Sequence, residues 1–212
     1  MAIFLDSARP QQAARAQELG FVSGIITNPH RMREVGRPGL EILEDLVKIF
    51  DGHVLYQPTG QTLEARIDEA WQAYDLRPDR VVIKLPASTE NLGFLKHVPE
   101  IEVAITTIYS PLQAYAAAEA GAQFVIPYVS HIEAELGDSA SLVQQIAKIL
   151  QGYPTELLAT DISDLSQVLA CLETGADHVA LPLELILALG NHELTEKTVA
   201  QHTVKENHNE QS

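Results

Sequence analysis

Runs of β-branched and other apolar residues alternate with longer helical patterns eight times along the 212 residues of the chain. The runs predicted to be strands cover residues 3–5, 24–27, 53–57, 81–86, 101–106, 123–126, 156–159 and 178–181. Parallel strands need long crossover connections, usually helices, and the helical patterns supply them. Because no break in composition divides the chain, the pattern predicts a single-domain α/β fold, the (β/α)8 TIM barrel.

An open, doubly wound sheet is the main alternative to the barrel. Such a sheet usually has a glycine-rich phosphate-binding turn after its first strand, whereas here that turn reads Asp6-Ser7-Ala8-Arg9-Pro10. The barrel is therefore favoured, and we expect it to occupy residues 1–190. Residues 191–212 are expected to form an extra C-terminal helix, over 195–204, and a polar tail.

The charge balance limits the partners of the chain. With 14 basic and 29 acidic residues the formal net charge is −15, which argues against nucleic acid and anionic membranes, since both need a basic footprint. The start of the chain lacks the pattern of a signal peptide, and no apolar run reaches the roughly 18 residues of a transmembrane helix. We expect a cytoplasmic protein with a small-molecule partner, in which the single Cys171 is a buried apolar residue.

The fourth predicted strand, Val81-Val82-Ile83-Lys84-Leu85-Pro86, contains a lysine in an otherwise apolar run. A strand buried on both faces is typically apolar throughout, and an ammonium is rarely buried unless it is paired or its pKa falls. A lysine that is neutral near pH 7 is a nucleophile that can form a Schiff base with a carbonyl substrate. The alternative is a structural lysine whose head reaches solvent or a carboxylate at the strand end.

Polar side chains follow the predicted strands at the end where barrel enzymes have their active sites. They are Asp6, Thr27, Asn28, Gln57, Lys84, Thr106, Tyr128 and Asp161. Singly, each has an ordinary interpretation as a helix cap, a turn residue, a strand former or an aromatic plug. Together they suit a Schiff-base aldolase, in which Tyr128 and a water held by Gln57 and Thr106 move protons while Asp6 and Asn28 orient the substrate or the lysine.

Two other classes of function remain open on the residues alone. One is a catalytically idle barrel that binds a sugar-like ligand. The other is a barrel isomerase that uses an aspartate or a histidine, His131 or His178, as its base. The histidines of the polar tail lack the spacing of a closed metal site, so no metal is expected.

Six segments of the chain carry a more specific signal. They are Leu5-Asp6-Ser7, Gly24-Ile25-Ile26-Thr27-Asn28-Pro29, Val82-Ile83-Lys84-Leu85-Pro86, Thr106-Thr107-Ile108-Tyr109, Pro127-Tyr128-Val129 and Leu181-Pro182-Leu183. They resemble the landmarks of the transaldolase family, most closely its small branch, which includes fructose-6-phosphate aldolase. The resemblance extends from the first strand through the eighth.

The resemblance implies a class I aldolase or transaldolase that acts on small carbonyl and sugar substrates without a metal or a cofactor. It implies that Lys84 forms the Schiff base, with Asp6 and Asn28 beside it and with Gln57, Thr106 and Tyr128 around the catalytic water. It also implies a ring-based homo-oligomer, a decamer being one form, in which the C-terminal helix packs on a neighbouring subunit.

The sequence departs from the family pattern where relatives bind the substrate phosphate. His131 stands at a usual arginine, Asp161 replaces a serine after the seventh strand, and Asp164 lies where a basic residue is expected. Carboxylates repel a phosphate dianion, whereas phosphate sites favour Arg, Lys and helix N-termini. Ile26 and Ile126 replace smaller or more polar residues and are expected to narrow the substrate pocket. The chemistry is therefore expected to be retained and the phosphate site to be altered.

Overall fold

The computed structural model describes the backbone of residues 1–209 and the side chains of residues 1–202. Eight parallel strands pair in chain order, and the first strand pairs with the eighth to close the barrel. The strands are β1 (Ala2–Asp6), β2 (Val22–Ile26), β3 (His53–Tyr56), β4 (Val81–Pro86), β5 (Val103–Ile108), β6 (Phe124–Pro127), β7 (Glu156–Ala159) and β8 (His178–Leu181).

Helices follow the strands and form the outer layer. They are α1 (Pro10–Leu19), α2 (Pro29–Val35), α3 (Gly39–Ile49), α4 (Leu63–Leu76), α5 (Thr89–Phe94), α6 (Pro111–Glu119), α7 (Val129–Leu136), α8 (Ser139–Leu150), α9 (Leu165–Glu173), α10 (Leu183–Ala188) and α11 (Glu193–Asn209). The predicted (β/α)8 barrel with an extra C-terminal helix is confirmed. Among the described residues, no helix is both long and apolar enough to cross a membrane.

The interior of the barrel is filled by apolar side chains from all eight strands. These are Phe4, Ile26, Leu55, Val82, Ala104, Phe124, Ile126, Leu158 and Ala180, each nearly inaccessible to solvent. Side chains alternate between the two faces of a strand, so residues two positions further along also point inward. Asp6, Gln57, Lys84, Thr106 and Tyr128 are such residues, and the barrel therefore directs them to its C-terminal mouth.

Two short helices, α2 and α7, lie in stretches for which the sequence pattern predicted no element. Asn28 accepts a hydrogen bond from the backbone N–H of Arg31, Pro29 occupies the first turn, and Gly36 ends α2 in the left-handed conformation. These are standard start and stop signals. Helices of seven and eight residues present too little periodicity to be recognised from apolar spacing.

Strand β5 ends two residues later than predicted. Thr107 has a φ of 57°, and the pairing of β5 with β6 shifts between Thr106 and Ile108. This irregularity at the rim turns the Thr107 side chain into the mouth of the barrel, where it lies near the end of β4.

The predicted helix over 195–204 lies within α11, and residues 210–212 of the predicted tail are outside the described residues. Leu194 and Val199 are 65% and 60% exposed on this mainly polar helix. The packing of α11 on a neighbouring subunit stays a prediction.

We predict that Gly24→Ala destabilises the barrel. A Cβ at this position in β2 would lie 2.2 Å from a ring carbon of Phe4, and that ring is already held against Phe124 and His178. Overpacking of this kind lowers the free energy of unfolding by about 1–3 kcal/mol. Denaturant unfolding monitored by circular dichroism measures the change.

The matched control is Gly93→Ala in α5, where an added Cβ meets nothing within 4 Å. There we expect a gain of about 0.4–1 kcal/mol, since the unfolded chain loses freedom and no clash forms. Equal effects at the two glycines would contradict the argument.

Candidate active site

Lys84 lies near the C-terminal end of β4 and is 1% exposed. Burial removes water from the ammonium and lowers the pKa of Lys84 to about 8, although the nearby Asp6 carboxylate acts in the opposite direction. With this pKa, about a tenth of the amine is neutral at pH 7. The alternative of a lysine whose head reaches solvent is excluded by this burial.

Lys84 opens onto a cavity of about 490 Å³ at the C-terminal mouth of the barrel, which we call the catalytic cavity. Seven of the ten residues predicted for the site line it, namely Lys84, Asp6, Asn28, Gln57, Tyr128, His131 and Asp161. The fold therefore brings together seven of the predicted residues from six different strand ends or the helices that follow them.

Tyr128 follows β6 and is directly paired with Thr160 at the end of β7. Burial raises the pKa of the Tyr128 phenol, while the hydroxyl of Thr106 lowers it in part. Tyr128 therefore remains protonated at neutral pH and can donate a proton. Thr106 Oγ1 is buried and has no hydrogen bond of ordinary geometry among the described residues, so it retains capacity to hold a water beside the phenol.

Arg31 clamps Asp6. Its Nε donates to Asp6 Oδ1 at 3.2 Å and its Nη2 to Oδ2 at 3.0 Å, which is a bidentate ion pair. The Asn28 side chain caps α2 by accepting from the Arg31 N–H at 2.9 Å, and so sets the turn that aims Arg31 at β1. Asn28 and Asp6 thus share Arg31 as a partner.

Arg31 is a residue of the cavity that was not predicted from the sequence. The available signal was a capped Asn28-Pro29 helix start followed by a basic residue in its first turn, close to a lone carboxylate at another strand end. Thr160 was also missed. It is 5% exposed, lines the catalytic cavity and occupies the inward position after Leu158.

His131 and Asp161 bind each other at the rim of the cavity. Asp161 Oδ2 accepts from the His131 backbone N–H at 3.0 Å and lies 2.8 Å from its Nδ1. Asp161 adopts a φ of 58°, an uncommon conformation for a residue with a side chain, and this conformation directs it toward α7. Any positive charge on His131 is therefore offset by its own carboxylate partner.

The N-terminus of α9, the helix after β7, is also occupied by protein groups. The Asp164 carboxylate accepts from the Gln167 N–H at 2.9 Å, and the Ser163 N–H donates to the Gln167 side chain at 2.9 Å. A helix N-terminus attracts phosphate through free N–H groups, and here a carboxylate already caps it.

Three predicted residues do not line the catalytic cavity. Thr27 is fully buried and donates its hydroxyl to the Leu55 carbonyl at 2.7 Å. Ile126 is fully buried in the barrel interior, and Thr106 is buried beside Tyr128. Ile26, by contrast, does line the cavity.

His178, one of two histidines considered as an isomerase base, lies at the opposite end of the barrel. It begins β8, and its ring packs against those of Phe4 and Phe124 at centroid distances of 5.7 and 5.9 Å. It therefore cannot act on a ligand in the catalytic cavity. Within residues 1–202, no group of three or more His, Cys, Asp or Glu side chains is arranged to hold a metal ion.

Comparison with known proteins identifies the family. Residues 3–212 match the family model described as Transaldolase/Fructose-6-phosphate aldolase. The chain belongs to the transaldolase family. The expectation of an enzyme of the Schiff-base aldolase or transaldolase type is confirmed by this membership.

Individual relatives cover nearly the whole chain. A probable transaldolase of Geotalea uraniireducens is 33% identical over 200 residues, covering 92% of this chain and 93% of the relative. One of Hydrogenobaculum sp. is 32% identical and covers 92% of each chain. Among solved structures, a mandelate oxidase superposes with a TM-score of 0.63 at 18% identity, covering 89% of this chain and 67% of the other. This last likeness shows the barrel fold alone.

We predict that Arg31→Met lowers kcat/KM at neutral pH by raising the pKa of Lys84. Without the guanidinium, the Asp6 carboxylate attracts the Lys84 ammonium uncompensated, and the protonated amine is favoured. Below the pKa, each unit of increase reduces the neutral fraction about tenfold. The acid limb of kcat/KM, measured against pH with a hydroxyketone substrate, should move to higher pH.

The control is Arg15→Met, which removes an exposed arginine that pairs with Glu18 on α1. It should leave the profile unchanged. A loss in Arg31→Met that is equal at every pH would show that Arg31 supports the structure without tuning the lysine.

Proposed function

We propose that this enzyme joins or cleaves a carbon–carbon bond between a small hydroxyketone donor and an unphosphorylated aldehyde acceptor, with Lys84 as the Schiff-base residue. The observation that carries the proposal is a fully buried lysine, with its pKa lowered to about 8, that opens onto a cavity lined by polar groups. Perturbed titration in a cleft is typical of catalytic groups. An idle sugar-binding barrel would not need to desolvate an amine in this way.

The reaction begins with attack of the neutral Lys84 amine on the donor carbonyl. The carbinolamine loses water to give an imine, and loss of a proton from the neighbouring carbon gives an enamine. The enamine carbon then bonds to the aldehyde carbon, the aldehyde oxygen takes a proton, and water releases the product from the lysine. Cleavage is the reverse sequence.

Proton transfers in this scheme fall to Tyr128. Its phenol remains protonated because burial raises its pKa, and the buried hydroxyl of Thr106 and the amide of Gln57 are available to hold the water through which it acts. Asp6, clamped by Arg31, is more suited to orienting substrate hydroxyls and Lys84 than to exchanging protons, since its ionised form is already paired. Asn28 presents its amide to the same cavity.

We predict that borohydride traps dihydroxyacetone on Lys84 as a covalent secondary amine. Mass spectrometry of the digested protein locates the adduct. Lys84→Met should abolish both the adduct and turnover while keeping the fold. Tyr128→Phe is the matched comparison: it should still form the adduct, but turnover should fall by about 10²–10⁴-fold, which is the usual contribution of a general acid–base group.

Turnover by the wild-type enzyme without modification of Lys84 would contradict the assignment of Lys84 as the Schiff-base residue. Wild-type turnover in Tyr128→Phe would transfer the proton-moving role to another group, and Asp6 would be the next candidate.

The charges of His131, Asp161 and Asp164 support an altered phosphate site. Asp161 is hydrogen-bonded to His131 and Asp164 caps α9, so two carboxylates lie in the region where the family resemblance places cations. A unit charge pair at 4 Å and an effective dielectric of about 20 interacts by roughly 4 kcal/mol. Even a fraction of that repulsion lowers the affinity for a phosphate dianion by orders of magnitude. A transaldolase proper, acting on sugar phosphates, fits this rim less well.

We predict a higher kcat/KM for glyceraldehyde than for glyceraldehyde 3-phosphate as acceptor at pH 8, with dihydroxyacetone as donor. The double substitution His131→Arg with Asp161→Ser should shift the preference toward the phosphorylated aldehyde, because it removes the carboxylate and adds a permanent cation. Steady-state kinetics on the two acceptors measures the ratio. A clear wild-type preference for the phosphate ester would show that the anion is bound elsewhere in the cavity.

A further inference from the structure

A second chamber adjoins the catalytic cavity and has no part in the chemistry described so far. Its volume is about 420 Å³, and it lies among α2, the start of α3 and α4, beyond the end of β3. Pro29, Arg33 and Gln57 line both this side chamber and the catalytic cavity. These three residues border both spaces, so the side chamber lies directly beside the catalytic cavity, within reach of the far end of a substrate held at Lys84.

The side chamber presents mainly apolar surface. Met32, Pro38, Leu40 and the ring of Tyr56 form much of its lining. A ligand there would therefore gain free energy from the burial of apolar surface.

The polar groups at the edge of the side chamber already have partners. The Glu69 carboxylate accepts from the Tyr56 hydroxyl at 2.6 Å and from the Thr59 N–H at 2.9 Å. Arg37 is paired with Asp45 at 2.6 Å. These groups offer little hydrogen-bonding capacity to a polar ligand.

Arg33 differs from the other charged residues of the lining. It is exposed, and no described ion pair or side-chain hydrogen bond engages its guanidinium within residues 1–202. An aromatic ring makes favourable contacts with three kinds of group. These are a guanidinium over its face, a methionine sulfur near its edge and a flat proline ring beside it. Arg33, Met32 and Pro29 supply these three contacts around one space.

We propose that the side chamber binds the far end of the acceptor, and that the acceptor is an unphosphorylated aldehyde bearing an aromatic group. The proposal rests on the proposed function, since the aldehyde carbon must meet the enamine formed on Lys84, and it names the acceptor class. The chemistry is unchanged: the new carbon–carbon bond forms in the catalytic cavity, and the ring enters the side chamber past Gln57.

The test compares phenylacetaldehyde with propanal as acceptors, with dihydroxyacetone as donor. Wild-type kcat/KM should be at least about tenfold higher for phenylacetaldehyde, as expected from burial of a ring. Leu40→Trp, which fills the side chamber, should lower the value for phenylacetaldehyde about tenfold and leave propanal within about twofold. Leu169→Trp on the exposed face of α9, outside both cavities, is the matched control and should change neither value.

Thr59→Trp provides a second filling variant, because the Thr59 side chain is exposed and its backbone N–H contact with Glu69 is kept. Its result decides the matter if Leu40→Trp does not fold. Equal wild-type efficiency on the two aldehydes, or an equal loss for both in a folded filling variant, would overturn the proposal.

Borohydride trapping of dihydroxyacetone separates the two levels of inference. An adduct on Lys84 together with no discrimination between the aldehydes rejects the side chamber alone. Turnover without an adduct rejects the Schiff-base assignment, whichever aldehyde is preferred.

Discussion

The central physical constraint in this structure is the burial of the Lys84 amine away from water. Lys84 occupies an inward position of a closed barrel, with Val82 below it and the catalytic cavity above, and the resulting burial lowers its pKa to about 8. Desolvation disfavours the ammonium and leaves the nucleophilic form populated near neutral pH. The barrel achieves this through side-chain alternation, because the strand that buries Val82 must also direct the residue two positions later to the same face.

Charges around the catalytic cavity are arranged in pairs contributed by separate elements. Arg31 of α2 binds Asp6 of β1, and His131 of α7 binds Asp161 after β7. The first pair limits how strongly Asp6 can draw a proton to Lys84, and the second places a carboxylate beside His131 at the rim of the cavity. Within residues 1–202 the Arg33 guanidinium has no described ion-pair partner, and Arg33 borders both the catalytic cavity and the apolar side chamber.

The alternation of side chains along a strand explains which positions of the cavity could be predicted from the sequence and which could not. Lys84, Gln57 and Tyr128 line one cavity because each follows an apolar inward residue by two positions. Thr27 was assigned to the site through its adjacency to Asn28, but adjacent strand residues face opposite sides, and Thr27 points away to the Leu55 carbonyl. The capped helix start at Asn28 indicates where Arg31 lies, but its pairing with Asp6 depends on the tertiary contact of α2 with β1.

The desolvation that lowers the pKa of Lys84 also works against the folded state. The pKa of Lys84 is about 8 in the folded chain, against an ordinary value of 10.5, so below pH 8 the unfolded state holds a proton that the folded state binds less tightly. The difference corresponds to roughly 3 kcal/mol. This penalty is fully present below pH 8, declines as the pH rises from 8 to 10.5, and is absent above that range. An apolar side chain of similar length would avoid this penalty, so the burial of a lysine here supports the proposed Schiff-base role, in which stability is exchanged for function as is usual at active sites.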